Sequence, residues 1–331
     1  MKKQSAIPTL AASAIGILCL VLDSRCASQS AAKGLELCLK TVIPSLFPMF
    51  VLTGILLRSI PVSNRGFAAK AEHLLSLPQG AGRIFLLGVL GGFPVGAQCI
   101  SQAVEERQIS KETASHLLGF CNLCSPGFIF GLAGCLFSST ITAFALLLIQ
   151  LETALMVAAL TSIPSGNKIT NTHKPNSADV IGRSIRGMGS VCAWVILASV
   201  ATGFLERWLF PLIPEPLPLI IRGILEITGG ILSLTAVDDT SIRLILCAVF
   251  ICFGGISVLM QIRTICASQR ISTAIYVRQK VLQAVFGGIL AITFLQIGFL
   301  VFLIPPFLLL FSKKQVEIPE KRMYNSICKG G

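Results

Sequence analysis

The sequence predicts an all-α, polytopic helical membrane protein with broken or re-entrant helices and two halves related by a faint repeat. Three observations carry that prediction. Of 331 residues, 53% are apolar and 13% charged, with mean hydropathy +0.80, where a soluble domain carries about 25% charged residues. The apolar residues gather in runs close to the ~20 residues that a spanning helix needs. Two neighbouring runs are punctuated by Gly and Pro, which hydrocarbon tolerates only where protein or a water-filled cavity satisfies the freed backbone groups.

Candidate spans lie near 5–22, 41–57, 84–104, 117–137, 140–163, 185–205, 219–235, 242–262 and 281–311. Lys2 and Lys3 precede the first, which reads as an uncleaved helix with its N-terminus in the cytoplasm. Residues 31–42 place Leu35, Leu39 and Val42 on one face, as an interfacial amphipathic helix would. Pro44 then opens the second span, where proline suits a first helical turn. Arg58, Arg65, Lys70 and Arg83 form a basic connection that prefers the inner side, with an amphipathic piece over 67–77 lying along the surface.

The interrupted pair follows. Its first member, IFLLGVLGGFPVGAQCISQAV, is broken at Gly91, Gly92, Pro94 and Gly96. The second, TASHLLGFCNLCSPGFIFGLAGCLF, is broken at Ser125, Pro126 and Gly127. Two such segments in tandem are the pattern of a substrate or ion site built from broken helices, with Gln98 and Asn122 as side-chain ligands. Placing the Gly-rich member as a re-entrant hairpin keeps the basic loop 164–184 inside.

The next span carries Glu152 near its centre, with Gln150 two residues before it. A carboxylate there costs about 2.5–3.5 kcal/mol on insertion scales, so it faces a cavity or a partner. It is either a proton or cation ligand, or a protonated acid hydrogen-bonded to a neighbouring helix. In the second half, LIIRGILEITGGILSLTA holds Glu226 and Thr228 in a short, glycine-softened segment. That segment is re-entrant with Glu226 facing inward, or interfacial with Arg222 and Glu226 paired at i,i+4. Gly254-Gly255, followed by Ile271-Ser272-Thr273-Ala274, echoes Gly91-Gly92, Ile109-Ser110 and Thr113-Ala114. Residues 281–311 contain no charge, a length that suggests a break at Gly287-Gly288 or Pro305-Pro306.

The net charge of +12 sits in short loops and the C-terminal tail, as membrane topology requires, and does not indicate nucleic-acid binding. Most of the twelve cysteines lie in apolar runs and act as small hydrophobes. Cys121 and Cys124 form a lone C-x-x-C without a second pair. His73, His116 and His173 sit near or beyond span ends, Asp238-Asp239 falls in a loop, and no hydrolase, zinc-protease or nucleotide motif occurs. The expectation is a non-enzymatic protein without metal or cofactor.

At GGFPVGAQ (91–98), FCNLCSPGFIFG (120–131) and LEITGG (225–230), preceded by PSLFPMFVL (44–52), the chain resembles the YlbJ-type sporulation integral membrane proteins of endospore-forming bacteria. These carry a nucleoside-recognition or Gate domain, distantly similar to nucleoside transporters with inverted repeats and re-entrant hairpins. The resemblance covers most of the chain and is weaker in the final third. It implies a multi-pass protein of the bacterial inner or forespore membrane, required for spore formation at the cortex-building stage. It marks Gly92, Pro94, Gly96, Asn122, Ser125, Pro126, Glu226 and Thr228 as the family's recognisable residues. Glu152 matches no family motif.

The expected organisation is an anchor helix over 1–33, a Gate-like half over 34–163, a polar linker over 164–184, a second half over 185–311 and a basic tail over 312–331. The expected partners are the lipid bilayer, a small solute such as a nucleoside-like molecule or cell-wall precursor, and other sporulation membrane proteins. The leading expectation is transporter-like solute handling; the alternative is a non-transporting scaffold for cortex or envelope assembly.

Overall fold

The computed structural model describes residues 6–60, 72, 80–161 and 177–303. The surface piece over 67–77 apart from Glu72, His73, His173, most of the linker over 164–184, Pro305-Pro306 and the tail over 312–331 lie outside the described residues. Every regular element among those described is helical.

Helix α1 (Ala6–Leu22) turns at Asp23, whose carboxylate accepts from the Cys26 amide and caps α2 (Ser24–Leu37). A π turn at Cys38–Val42 carries α2 into α3 (Ile43–Ser59). The separate interfacial helix expected over 31–42 is therefore not seen; Ser24–Ser59 is one 36-residue helix. Next come α4 (Ala81–Gly91) and α5 (Val95–Glu105). Helix α6 (Lys111–Cys121), capped by Ser110, loses its helical path at Asn122. Ser125 caps α7 (Pro126–Phe128), which continues through a π turn at Ile129–Ala133 into α8 (Gly134–Phe137). Ser139 caps α9 (Thr140–Leu160).

Helix α10 (Ser177–Phe204) already includes 177–184, which the sequence places in the linker; Val180 and Ser184 are buried in its first turns. A π turn at Leu205–Leu209 and a 3-10 turn at Phe210–Leu212 lead to α11 (Leu217–Leu225) and α12 (Ile227–Ser233). Asp239 caps α13 (Thr240–Phe253), and Gly254 separates it from α14 (Gly255–Ala267). Helix α15 (Ala274–Ile297) is followed by a 3-10 segment, Gly298–Leu303, that closes the described chain. It passes unbroken through Gly287 and Gly288, which lie against Cys252 and Val249, and stops at Gly298, whose φ is +61°. Six of these helices or helix combinations are long and apolar enough to cross a membrane, and the chain is a multi-pass membrane protein.

Packing separates the breaks into two kinds. Helices α4 and α5 fold back on each other with Gly88 against Gly96, and α11 and α12 do the same with Gly223 against Gly230. Each is a hairpin of half-length helices; eleven residues rise only about 16 Å, half the ~30 Å hydrocarbon thickness. By contrast, Lys111–Ala133 and Thr240–Ala267 each continue in one direction past the interruption.

The order long helix, hairpin, interrupted helix, helix occurs twice. Gly88 corresponds to Gly223, Gly96 to Gly230 and Thr140 to Ala274, offsets of 134 or 135 residues. The echo of Gly91-Gly92 in Gly254-Gly255 is a coincidence of composition, because one pair ends a hairpin arm and the other interrupts a span. The two opening helices run antiparallel along their length: Gly54 meets Val180, Gly187 meets Phe50, Gly34 meets Ile196 and Ser199, and Gly203 meets Ser30. Small residues let these backbones approach where lipid supplies no hydrophobic drive. This contact packs 31–42 along α10 within one continuous helix, where the sequence predicts a separate one.

The hairpins start from opposite ends. At one end Arg58 and Arg183 pair with Glu106 at the foot of α5. At the other, Asp23 pairs with Arg207 beside the approach to α11.

Candidate functional site

All four interruptions meet in the middle of the molecule. Gly92, with φ of +75°, lies against Ser125 so closely that a methyl group would sit 2.8 Å from its Cβ. The Phe93 ring reaches Gly254, whose φ is +85°. Gly255 lies against Leu225, Glu226 and Ile227. The tip of each hairpin thus touches an interrupted span, and the first touches both.

Backbone groups freed by the first two breaks are taken up by buried amides. Asn122 is fully buried; its Oδ1 accepts from the Ala97 amide at 2.6 Å and its Nδ2 donates to the Leu118 carbonyl at 2.7 Å. Gln150 clamps Cys124 from both sides, accepting from its amide at 2.8 Å and donating to its carbonyl at 3.0 Å. An orphaned buried backbone group costs about 1–3 kcal/mol. Replacing Gln150 by leucine is therefore expected to destabilise the protein by about 2 kcal/mol or more, measured as an earlier unfolding transition in detergent; an unchanged transition would show that water substitutes for the clamp.

The remaining sequence candidates separate. Gly96 and Pro94 are buried in the first hairpin and Pro126 starts the helix after the second break. Gln98 points away from the junction and donates to the Arg183 carbonyl at 3.4 Å. Glu152 is half-buried with Oε2 lacking a hydrogen-bond partner, and no hydrogen bond or ion pair among the described residues joins it to the junction. Glu226 does not pair with Arg222. It caps α12 instead, accepting from the Thr228 amide at 3.0 Å and the Gly229 amide at 2.6 Å, and Arg222 turns to Glu206 at 3.3 Å and to the Phe210 ring at 4.9 Å. The break at Glu226 explains this: a capping carboxylate is committed to its own helix start, not to the preceding turn.

Sequence reading missed Lys280, which is 2% exposed. Its ammonium donates to Gln283 at 2.7 Å and stands 4.9 Å from the centre of the Phe93 ring. Gln283 in turn donates to the Gly119 carbonyl at 2.9 Å. Lys280 precedes the charge-free stretch 281–311 by one residue, so it resembles a flanking anchor; only the helix start at Ala274 carries it inside.

Two adjoining cavities open beside the second hairpin. One, of about 360 Å³, is bordered by Ser30, Lys33, Glu206, Arg222, Glu226 and Gly229. The other, of about 540 Å³, shares Ser30, Lys33, Gly203 and Glu206 with it and reaches Asp23 and Arg207. Together they form a recess with charged and apolar walls, from the end of the long-helix pair to the tip of the second hairpin. Cys121 and Cys124 are free thiols, and no metal-binding cluster occurs among the described residues.

The chain is similar to the sporulation integral membrane protein YlbJ of Bacillus subtilis (strain 168), 33% identical over 111 residues, or 32% of this chain and 26% of that protein. The match spans about a quarter of that relative's length. No family model and no solved structure matches the chain.

Proposed function

We propose that this protein handles a small solute in a transporter-like manner during sporulation, moving or binding it without bond chemistry. The two hairpins are re-entrant, one from each face of the membrane, and the halves form an inverted repeat of the Gate type. The end carrying Arg58, Arg83, Arg107, Lys111, Arg183 and Arg270 is the cytoplasmic one under the positive-inside rule, which places the recess on the opposite side. The supporting observation is the meeting of both hairpin tips with both interrupted spans, beside a charged recess that ends at one tip. Non-helical backbone at membrane depth is the usual construction of a solute site. The sporulation role follows from the likeness to YlbJ and to the motif set of that family.

The hairpins are held unequally. Glu106, Arg58, Arg183 and Gln102 tie the foot of the first to α3 and α10. The second borders the recess, so it is the element free to admit a solute. Proteoliposomes carrying the full chain, offered labelled nucleosides, cell-wall precursors and small anions, test the reading. Uptake of one of these above empty vesicles is expected, reduced at least about tenfold when Glu226→Ala removes the cap that shapes the second tip. A folded wild type that accumulates none of them overturns it.

A further inference from the structure

We infer that the junction contains a binding site for a compact anion, a carboxylate or phosphate group, with Lys280 as its cationic ligand and the Phe93 ring as its movable cover. This deepens the solute-handling reading and rests on it.

Lys280 brings to the junction a buried charge that no carboxylate among the described residues offsets. Of the buried arginines at the foot of the first hairpin, Arg58 pairs with Glu106 and Arg183 with Glu105 and Glu106, and Arg83 donates to the Leu57 and Ile60 carbonyls and to Gln108. Lys280 has no carboxylate partner among the described residues. Its contacts are the Gln283 amide oxygen and the rings of Phe93 and Tyr276. Ionisable residues inside a span are costly and rare, and they characteristically mark solute or ion paths. Gln283 is itself fixed to Gly119, so the ammonium is held towards the hairpin tip rather than free to reach an interface.

A second feature points to the same spot. Phe93 touches Lys280 on one side and Gly254 on the other. Gly254 precedes α14, a thirteen-residue helix whose first amides have no side-chain cap. Cation and amide end are both anion-seeking groups, and one half-buried aromatic ring spans them. An aromatic face is a weak substitute for an anion over an ammonium.

The route in is also cationic. In the recess, Glu206 is engaged by Arg222, and Glu226 is engaged by two amides. Lys33 has no partner among the described residues, which leaves positive charge for an incoming solute. The recess ends at Glu226, whose Cα lies beside Gly255, so the second hairpin tip is the partition between recess and Lys280.

The test is equilibrium binding of inorganic phosphate and of acetate to the full chain in nanodiscs, at matched ionic strength in chloride. At least one of the two is expected to bind wild type, about tenfold more tightly in Phe93→Ala. Binding should weaken about 100-fold in Lys280→Met and largely return in Lys280→Arg. Preference for one anion identifies the headgroup. The inference falls if Lys280→Met binds as wild type does, or if neither anion binds wild type or Phe93→Ala although both unfold cooperatively. The two readings fail separately. Loss of binding in Lys280→Met without uptake of any solute removes transport and keeps the site. Uptake of a neutral solute that Lys280→Met leaves intact removes the site and keeps transport.

Discussion

Glu106→Ala is expected to destabilise the protein by about 3–5 kcal/mol, the cost of breaking a buried ion pair from one side. Glu106 accepts from Arg58 Nε at 2.6 Å, Gln102 at 3.0 Å and Gln108 at 2.9 Å, and Arg183 stands 3.6 Å away. The side chains of Arg58 and Glu106 are 8% and 9% exposed. Removing the acid would take away the carboxylate that Arg58 and Arg183 share, where little water reaches to replace it. Glu105 is the internal control. It pairs with Arg183 at 2.9 Å but its side chain is 44% exposed, so Glu105→Ala should cost about 1 kcal/mol or less. Unfolding followed with a thiol-reactive dye reads both, because Cys99, Cys121 and Cys252 are buried until the fold opens. Equal losses for the two variants would refute the assignment.

Gly96→Ala should be comparably damaging, about 3 kcal/mol or more, through forced overpacking. A methyl group there would lie 1.9 Å from the Cys121 carbonyl oxygen, and one on Gly88 would lie 2.0 Å from the same atom. The two arms of the first hairpin close around that carbonyl, at the residue where α6 ends. Because the obstacle is backbone, no rotamer change relieves it, and separating the arms would pull Ala97 from Asn122. Gly189→Ala is the matched comparison: nothing lies within 4 Å of its added methyl, and a helix-interior alanine should gain about 1 kcal/mol. If both variants unfold together, the close approach at Gly96 has no energetic weight.

How far local reading reaches is visible in particular residues. Gly92, Pro94 and Ser125-Pro126 announce broken helices because glycine reaches positive φ and proline lacks an amide, and the breaks are where those residues stand. Glu226 was legible as a polar residue in a short segment, but its role as a cap depended on where α11 stopped. Residues 31–42 were misjudged for a related reason. Lys33, Glu36 and Lys40 make the stretch amphipathic, yet Ser30, Gly34 and Cys38 beside them meet a helix about 160 residues away, and that contact joins the stretch to one long helix instead of a separate one.

What the amino-acid order decided alone was the solvent and the grammar of the fold: a bilayer, helices of spanning length, and the points at which they come apart. Those follow from transfer free energy and backbone sterics acting within a few residues. Which breaks reverse direction and which continue, the antiparallel run of Ser24–Ser59 along α10, and the burial of Lys280 under Phe93 were decided only by tertiary structure. Each depends on partners more than a hundred residues apart, or on close backbone approaches such as Gly88 to the Cys121 carbonyl, that no local window contains.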